Sequence, residues 1–362
     1  MLTELSAQLA QGAPLSAEQV ARAVAALVDD QVETETKAGF LTALAKKGET
    51  TDEIAAFARE LRAMSVTPPL DAETRSREIL DVCGTGGDRL NTFNISTTVA
   101  IVAAAAGVIV AKHGNRAVTS QSGSADVLEA LGVPVDLAPD AAARALRKHG
   151  FAFFFAPRYH PAFKHIAPAR KLCAELGQRT IFNFLGPLLN PARPTAQLIG
   201  VPRPELCEPI ARVLQSLGVR RGMVVAGEVQ SSKFKVQSAA SLDSSRASSH
   251  LDELSTLGDT TIAEFYQDRG FNTSVMSSAD FQWPPATLAD LAGGDRQANA
   301  EIVRRLLRGE ERGPKRDAVL LNAGAALFVA GRVRAVVDGC ELAAELMDSG
   351  KAFSKLQELT VR

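Results

Sequence analysis

Apolar residues recur at helical spacing through the first 64 positions. Val20, Val24, Leu27 and Val28 share one face behind a Ser16/Gln19 capping box. Phe40, Leu41 and Leu44 mark a second helix that ends at Gly48. A Thr50/Glu53 box opens a third, which carries Ile54, Phe57 and Leu61. Three short helices with no strand signal predict a small all-helical domain over residues 1–70. Ser65-Val-Thr-Pro-Pro69 reads as a stiff linker, because adjacent prolines exclude helix.

After the linker the pattern changes. Short apolar runs at Ile79–Cys83, Val108–Ala111, Phe151–Ala156, Leu198–Val201 and Met223–Ala226 read as buried strands. Helix-like stretches at Ala125–Leu131, Ala141–His149 and Leu206–Leu217 separate most of them. That alternation predicts a larger α/β domain over 71–362, with a central, mostly parallel sheet flanked by helices. In such folds ligands sit at the carboxyl ends of the strands. Val99–Ala111 is Ala-rich and shorter than the roughly 20 residues a membrane span needs, so it reads as a buried helix passing into a strand. Residues 238–249 are serine-rich and read as a surface loop.

Composition narrows the function classes. Of 362 residues, 46% are hydrophobic and 22% charged, ordinary for a globular enzyme. Lys+Arg is 40 against Asp+Glu 41, which argues against a dedicated nucleic-acid binder. Four scattered cysteines without a CxxC pair fit a reducing compartment, and the first residues lack the form of a signal peptide. A cytoplasmic location with no membrane association is expected.

Two loops carry candidate chemistry. The first runs Asp81-Val-Cys-Gly-Thr-Gly-Gly-Asp88 and continues through Thr92, Asn94, Ser96 and Thr97 into a helix. Its glycines allow close backbone approach, and the amino end of the helix, capped by Asn94, Ser96 and Thr97, favours an anion. The string is neither GxGxxG nor a Walker loop. The second loop holds Lys112, His113, Gly114, Asn115 and Arg116, then Ser120, Ser122 and Ser124 ahead of another helix. Lysine and arginine suit phosphate oxygens. Taken singly, these would be a tight turn and a solvated basic turn; together they point to a ligand with phosphate at both ends. Between 157 and 190, His160, Lys164, His165, Arg170 and Arg179 interleave with Phe163, Phe182 and Phe184, a plausible wall for an aromatic carboxylate and equally compatible with solvated helices. Asp252-Glu253 is an adjacent carboxylate pair that suits Mg²⁺, although as a bare dipeptide it is more often just exposed. No nucleophile–base dyad or zinc spacing is present.

The strings GTGGD, NISTT, KHGNR and SGSADVLEALG, in this order, resemble the anthranilate phosphoribosyltransferase family of the tryptophan pathway, over nearly the whole chain. The resemblance implies transfer of a phosphoribosyl group from phosphoribosyl diphosphate to anthranilate, with Mg²⁺ as cofactor and a homodimer through a helical domain to which about 163–190 contributes. It assigns phosphoribosyl diphosphate to Gly84, Thr85, Gly87, Asp88, Thr92, Asn94, Ser96, Thr97, Lys112, Asn115 and Ser124. Anthranilate falls to Gly84, His113, Asn115, His160, Arg170 and Pro187, with Arg116 helping to shape that site. The metal falls to Ser96, Asp252 and Glu253, and Lys112 and His113 act by orientation and electrostatics. The family usually runs from AP-x-R-K directly to ELG, whereas this chain inserts Leu172-Cys-Ala174, which bears on the placement of Arg179 more than of Arg170. Two rivals remain. A pyrimidine-nucleoside phosphorylase also has KH-x-x-R, typically with serine where Gly114 stands. A non-catalytic nucleic-acid-binding paralogue would show a basic face and broken GTGGD or DE strings.

Overall fold

The computed structural model describes residues 1–117, 121–230, 250–267 and 269–360. The serine-rich segment 238–249 and Ser120 lie outside the described residues.

Four helices open the chain: α1 (Leu2–Ala10), α2 (Ala17–Val28), α3 (Thr34–Lys47) and α4 (Thr51–Ala63). Both expected capping boxes form, at Ser16/Gln19 and Thr50/Glu53. Gly48 ends α3 at φ 84°, a conformation that glycine adopts without a Cβ penalty. Periodicity predicts only three of these helices. The fourth, α1, has no side-chain cap, and its signal is only the triad Leu2, Leu5 and Leu9, all buried.

Eight strands follow: β1 (Ile79–Gly84), β2 (Ile109–Gly114), β3 (Phe151–Phe155), β4 (Ala196–Gly200), β5 (Arg221–Glu228), β6 (His250–Leu251), β7 (Thr260–Tyr266) and β8 (Gly270–Met276). The main order is β3-β2-β1-β4-β5-β7-β8, with β6 pairing β5. The junctions from β3 to β5 are all parallel. β6, β7 and β8 are antiparallel additions. The first five strands match the expected runs; the last three were not foreseen. The mostly parallel sheet with flanking helices is the expected fold class.

One apolar core packs the helix Ile95–Ala105 and the C-terminal helices Arg296–Leu307, Pro314–Val329, Val336–Asp348 and Lys351–Thr360 against one face of the sheet. A second joins α1–α4 with Ile166, Ala169, Phe182 and Leu185–Leu189 and continues under the other face through Ile199, Val224 and Phe265. No helix among the described residues is long and apolar enough to cross a membrane.

Candidate active site

β1 and β2 are parallel neighbours, so the loops at their carboxyl ends lie side by side. The first loop turns through four left-handed residues, Gly86, Gly87, Arg89 and Asn91. It is braced by Leu291–Gly293: the Phe93 amide donates to Leu291 O (3.0 Å), the Gly293 amide to Asn91 O (2.9 Å), and Thr92 bridges Ala292. Asn94 stands at the N-cap of the helix Ile95–Ala105, but its side chain makes no cap bond. Its amide donates to Ser122 O (3.2 Å) and accepts from Asn299 Nδ2 (2.9 Å), which ties both loops to a C-terminal helix. The expected side-chain cap is therefore corrected: Glu253 Oε1 takes the Ser96 amide instead (3.1 Å).

Lys112 is buried, not solvated. Its ammonium donates to Val82 O (2.6 Å) and reaches Ser96 Oγ at 3.4 Å. Asp81, fully buried beneath it, accepts from Asn190 Nδ2 (2.8 Å) and the His113 amide (3.3 Å). Burial raises the Asp81 carboxyl to about 6 against the pull of Lys112. Asn115 O accepts from the Ala125 amide (3.2 Å) and lies 3.4 Å from Ser124 Oγ. Asp126, which sequence reasoning does not single out, closes the second loop by accepting from the Ala117 and Gly123 amides, both at 2.9 Å. Arg116 does not join the acceptor wall. It is exposed and paired with Asp126 (3.1 Å) and Glu129 (2.9 Å), which satisfy its fork.

The acidic pair is brought to these loops by close backbone approach. A Cβ on Gly200 would lie 1.5 Å from Asp252 O, and one on Gly84 would lie 2.1 Å from Asp252 Oδ2. Only bare backbone at these strand ends lets the segment 252–253 cross over the sheet edge. Asp252 Oδ2 accepts from the Gly86 amide (2.6 Å). Burial, then the charges of Asp88 and Glu253, push the Asp252 carboxyl well above the usual carboxylate range. Burial lifts Glu253 to about 8, opposed by Lys112. Hard oxygens that hold one another's pKa up fit a divalent cation in kind. In geometry, no three His, Cys, Asp or Glu side chains among the described residues surround a single point.

The candidate acceptor wall is a run of rings. His113 meets His160 edge-on (5.2 Å), His160 stacks on Phe163 (5.1 Å), and Phe163 meets Phe182 (5.7 Å). The Arg170 guanidinium lies 5.2 Å over Phe182. Pro187 is buried in the turn Gly186–Leu189 behind His113. Burial lowers His113 to about 3 and His160 to about 4, so both rings are neutral at pH 7. Each has a buried Nε2 without a hydrogen-bond partner, as do Thr85 Oγ1, Thr97 Oγ1 and Ser122 Oγ. The inserted Leu172-Cys-Ala174 is absorbed as helix. Ala167–Glu175 is continuous, and Cys173 is buried with Sγ 3.6 Å from Ala38 O of α3. The chain then reverses at Gly177, and Arg179 Nη2 reaches Gly87 O of the first loop (3.4 Å).

Comparison with known proteins decides the family. A family model described as the glycosyl transferase family, helical bundle domain, matches residues 3–65. Its a/b-domain counterpart matches 76–250 and 231–353. Anthranilate phosphoribosyltransferase of Shewanella frigidimarina is 43% identical over 358 residues, 99% of this chain and 96% of the relative. That of Alkaliphilus metalliredigens is 46% identical over 321 residues, 89% of this chain and 86% of the relative. This chain belongs to the anthranilate phosphoribosyltransferase family. Among solved family structures, that of Thermus thermophilus is 40% identical with a TM-score of 0.84, over 98% of each chain. The Saccharomyces cerevisiae enzyme in complex with PRPP and Mg is 26% identical with a TM-score of 0.82, over 99% of this chain and 96% of that one. The phosphorylase rival also meets a steric objection. A Cβ at Gly114 would lie 2.3 Å from Ser124 Oγ and 2.9 Å from the Phe153 ring, so the serine it expects there has no room.

Proposed function

We propose that this chain joins anthranilate to the phosphoribosyl group of phosphoribosyl diphosphate, releasing diphosphate, in tryptophan biosynthesis. One observation carries the reading: a buried lysine and two backbone-rich loops at adjacent parallel strand ends adjoin a wall of neutral rings tipped by Arg170. The first part suits phosphate, the second an aromatic carboxylate.

The amine nitrogen attacks the anomeric carbon, and the carbon–oxygen bond to diphosphate breaks with its electron pair leaving on that oxygen. The amine then passes its extra proton to water or to the released diphosphate. Lys112 and the amino end of the Ile95–Ala105 helix stabilise the leaving charge. Gly84, Thr85, Gly87, Asp88, Thr92, Asn94, Thr97, Asn115 and Ser124 hold the phosphoribosyl diphosphate. Gly84, Asn115, His113, His160 and Pro187 border the acceptor, and Arg170 takes its carboxylate as a fork. Neutral histidines accept hydrogen bonds without repelling Lys112, and orientation does the remaining work. Ser96, Asp252 and Glu253 would hold Mg²⁺, which neutralises charge on diphosphate when bound.

We assign residues 1–70, with about 163–190, to a helical domain, and 71–362 to the phosphoribosyl diphosphate domain. A homodimer through the helical part is supported by the exposed Met64 and Leu176 there. Cytoplasmic location accords with four free cysteines. The test is loss of anthranilate fluorescence on adding phosphoribosyl diphosphate and Mg²⁺ to the purified chain. No loss, with phosphate-dependent cleavage of a pyrimidine nucleoside instead, would overturn the proposal.

A further inference from the structure

The turn Gly186–Leu189 is held in an unusual way. Each of its four consecutive carbonyls meets a side chain from a different element. Gly186 O lies 3.2 Å from His113 Nδ1, on β2. Pro187 O accepts from Gln197 Nε2 of β4 (3.0 Å). Leu188 O accepts from Arg62 Nε, on the last full turn of α4. Leu189 O is near enough to the His160 ring to favour its protonation, against burial. Two of the four side chains are the neutral histidines of the acceptor wall; the other two, Arg62 and Gln197, touch nothing that reacts.

A carbonyl can only accept. A neutral imidazole facing one must therefore carry its proton on the facing nitrogen, which leaves the other nitrogen a bare lone pair. In His113 the facing atom is Nδ1, and Nε2 is the buried nitrogen without a partner. The position of the turn thus sets the tautomer of the ring. Arg62 is itself buried, 8% exposed, and its Nη2 has no hydrogen-bond partner. Its guanidinium lies within electrostatic reach of Asp81 and Arg193 and of the His113 ring. Burying a charge for one backbone bond is expensive unless that bond is needed in place.

We propose that Arg62 is a positioning residue for the acceptor. From the helical bundle it fixes the Leu188 carbonyl, and through the turn it keeps His113 in the Nδ1-protonated tautomer, with Nε2 presented as an acceptor for an N–H donor. Gln197 supports the same turn from beneath. This rests on the reading that His113 and His160 border an aromatic amine.

The experiment uses the full chain labelled with ¹⁵N-histidine. The five histidines are assigned with His113→Gln and His160→Gln variants. In the wild type, His113 should show a protonated Nδ1 and a bare Nε2. In Arg62→Met, His113 should shift toward a tautomer mixture. The KM for anthranilate should rise about tenfold, while that for phosphoribosyl diphosphate stays within about twofold. Arg62→Lys should recover part of both effects. Should Arg62→Met not fold, Gln197→Met is the second variant and should move the same readouts in the same direction. A wild-type His113 protonated at Nε2 overturns the proposal. So do folded variants in which the His113 signals are unmoved, or in which both KM values change together. The nitrogen signals need no turnover. A chain inactive toward anthranilate would therefore remove the functional reading while the tautomer result still decides the role of Arg62.

Discussion

Gly200→Ala is the sharpest probe of the acidic pair. Gly200 ends β4, and an added Cβ would sit 1.5 Å from Asp252 O, 2.1 Å from its carbonyl carbon and 2.9 Å from Glu253 N. All three are backbone atoms, so no side-chain rotation relieves the clash. Restoring a contact of 3.0 Å requires the 252–253 backbone to retreat by about 1.5 Å, in an interior packed too tightly to yield freely. Overpacking of this kind costs about 1–3 kcal/mol of stability. The functional loss should be larger, because a displacement of about an ångström at a reacting site costs about a hundredfold in rate. The expected result is turnover down about a hundredfold, a raised Mg²⁺ requirement, and a modest drop in melting temperature. Fluorescence assays across a Mg²⁺ titration, with a thermal melt, measure all three. Gly39→Ala is the control: its Cβ meets nothing within 4 Å in α3, and it should stabilise the chain by about 0.5–1 kcal/mol. A folded Gly200→Ala with wild-type turnover and Mg²⁺ dependence would show that the position of 252–253 is immaterial to the reaction.

Asp252→Asn with Glu253→Gln should abolish most divalent-dependent turnover; wild-type activity at limiting Mg²⁺ would reassign the metal. Arg170→Ala should raise the KM for anthranilate by about tenfold or more through loss of a charged fork, and an unaltered KM would move the carboxylate to Arg179. Burial raises Glu253 from 4.5 to about 8, so between those values the folded chain keeps a proton that the unfolded chain has released, and stability falls as pH rises through that window. Since the histidine contributions are complete above pH 6.5, Glu253→Gln should flatten the fall from pH 6.5 to 8 in metal-free melts, and an unchanged slope would mean that Glu253 titrates normally.

The parts of the fold legible in the sequence were those whose signal is local. β1 to β5 are buried on both faces, so each reads as a short apolar run. β8 is an edge strand with most residues exposed, and Gly270–Met276 carries no such run. The two loops were legible because glycines, hydroxyls and Lys112 are contiguous there. Arg62 was not, because it meets Leu188 across 126 residues. Asn299 was not, because it meets Asn94 across 205. The acidic pair stood out only through the family resemblance. What seats it, bare backbone at Gly84 and Gly200, becomes visible only when β1 and β4 lie side by side. The cap expected at Asn94 failed for a related reason: a carboxylate distant in sequence had already taken the Ser96 amide.

The electrostatics of the free site divide it into two halves with opposite needs. In the diphosphate half, burial raises Asp252 well above the carboxylate range and Glu253 to about 8, so at pH 7 the free chain holds Glu253 mainly protonated. A divalent cation held there would have to displace those protons, so its binding should tighten as pH rises. In the acceptor half the same burial acts on bases, and it drives His113 and His160 to the neutral form. Being neutral, they offer no charge to a carboxylate, so under the proposed function that group falls to Arg170, 5.2 Å over Phe182, and the amine on the adjacent ring carbon is fixed along with it. On that reading, the acceptor is held by the one basic group of the wall that burial leaves charged, and not by the two rings that burial makes neutral.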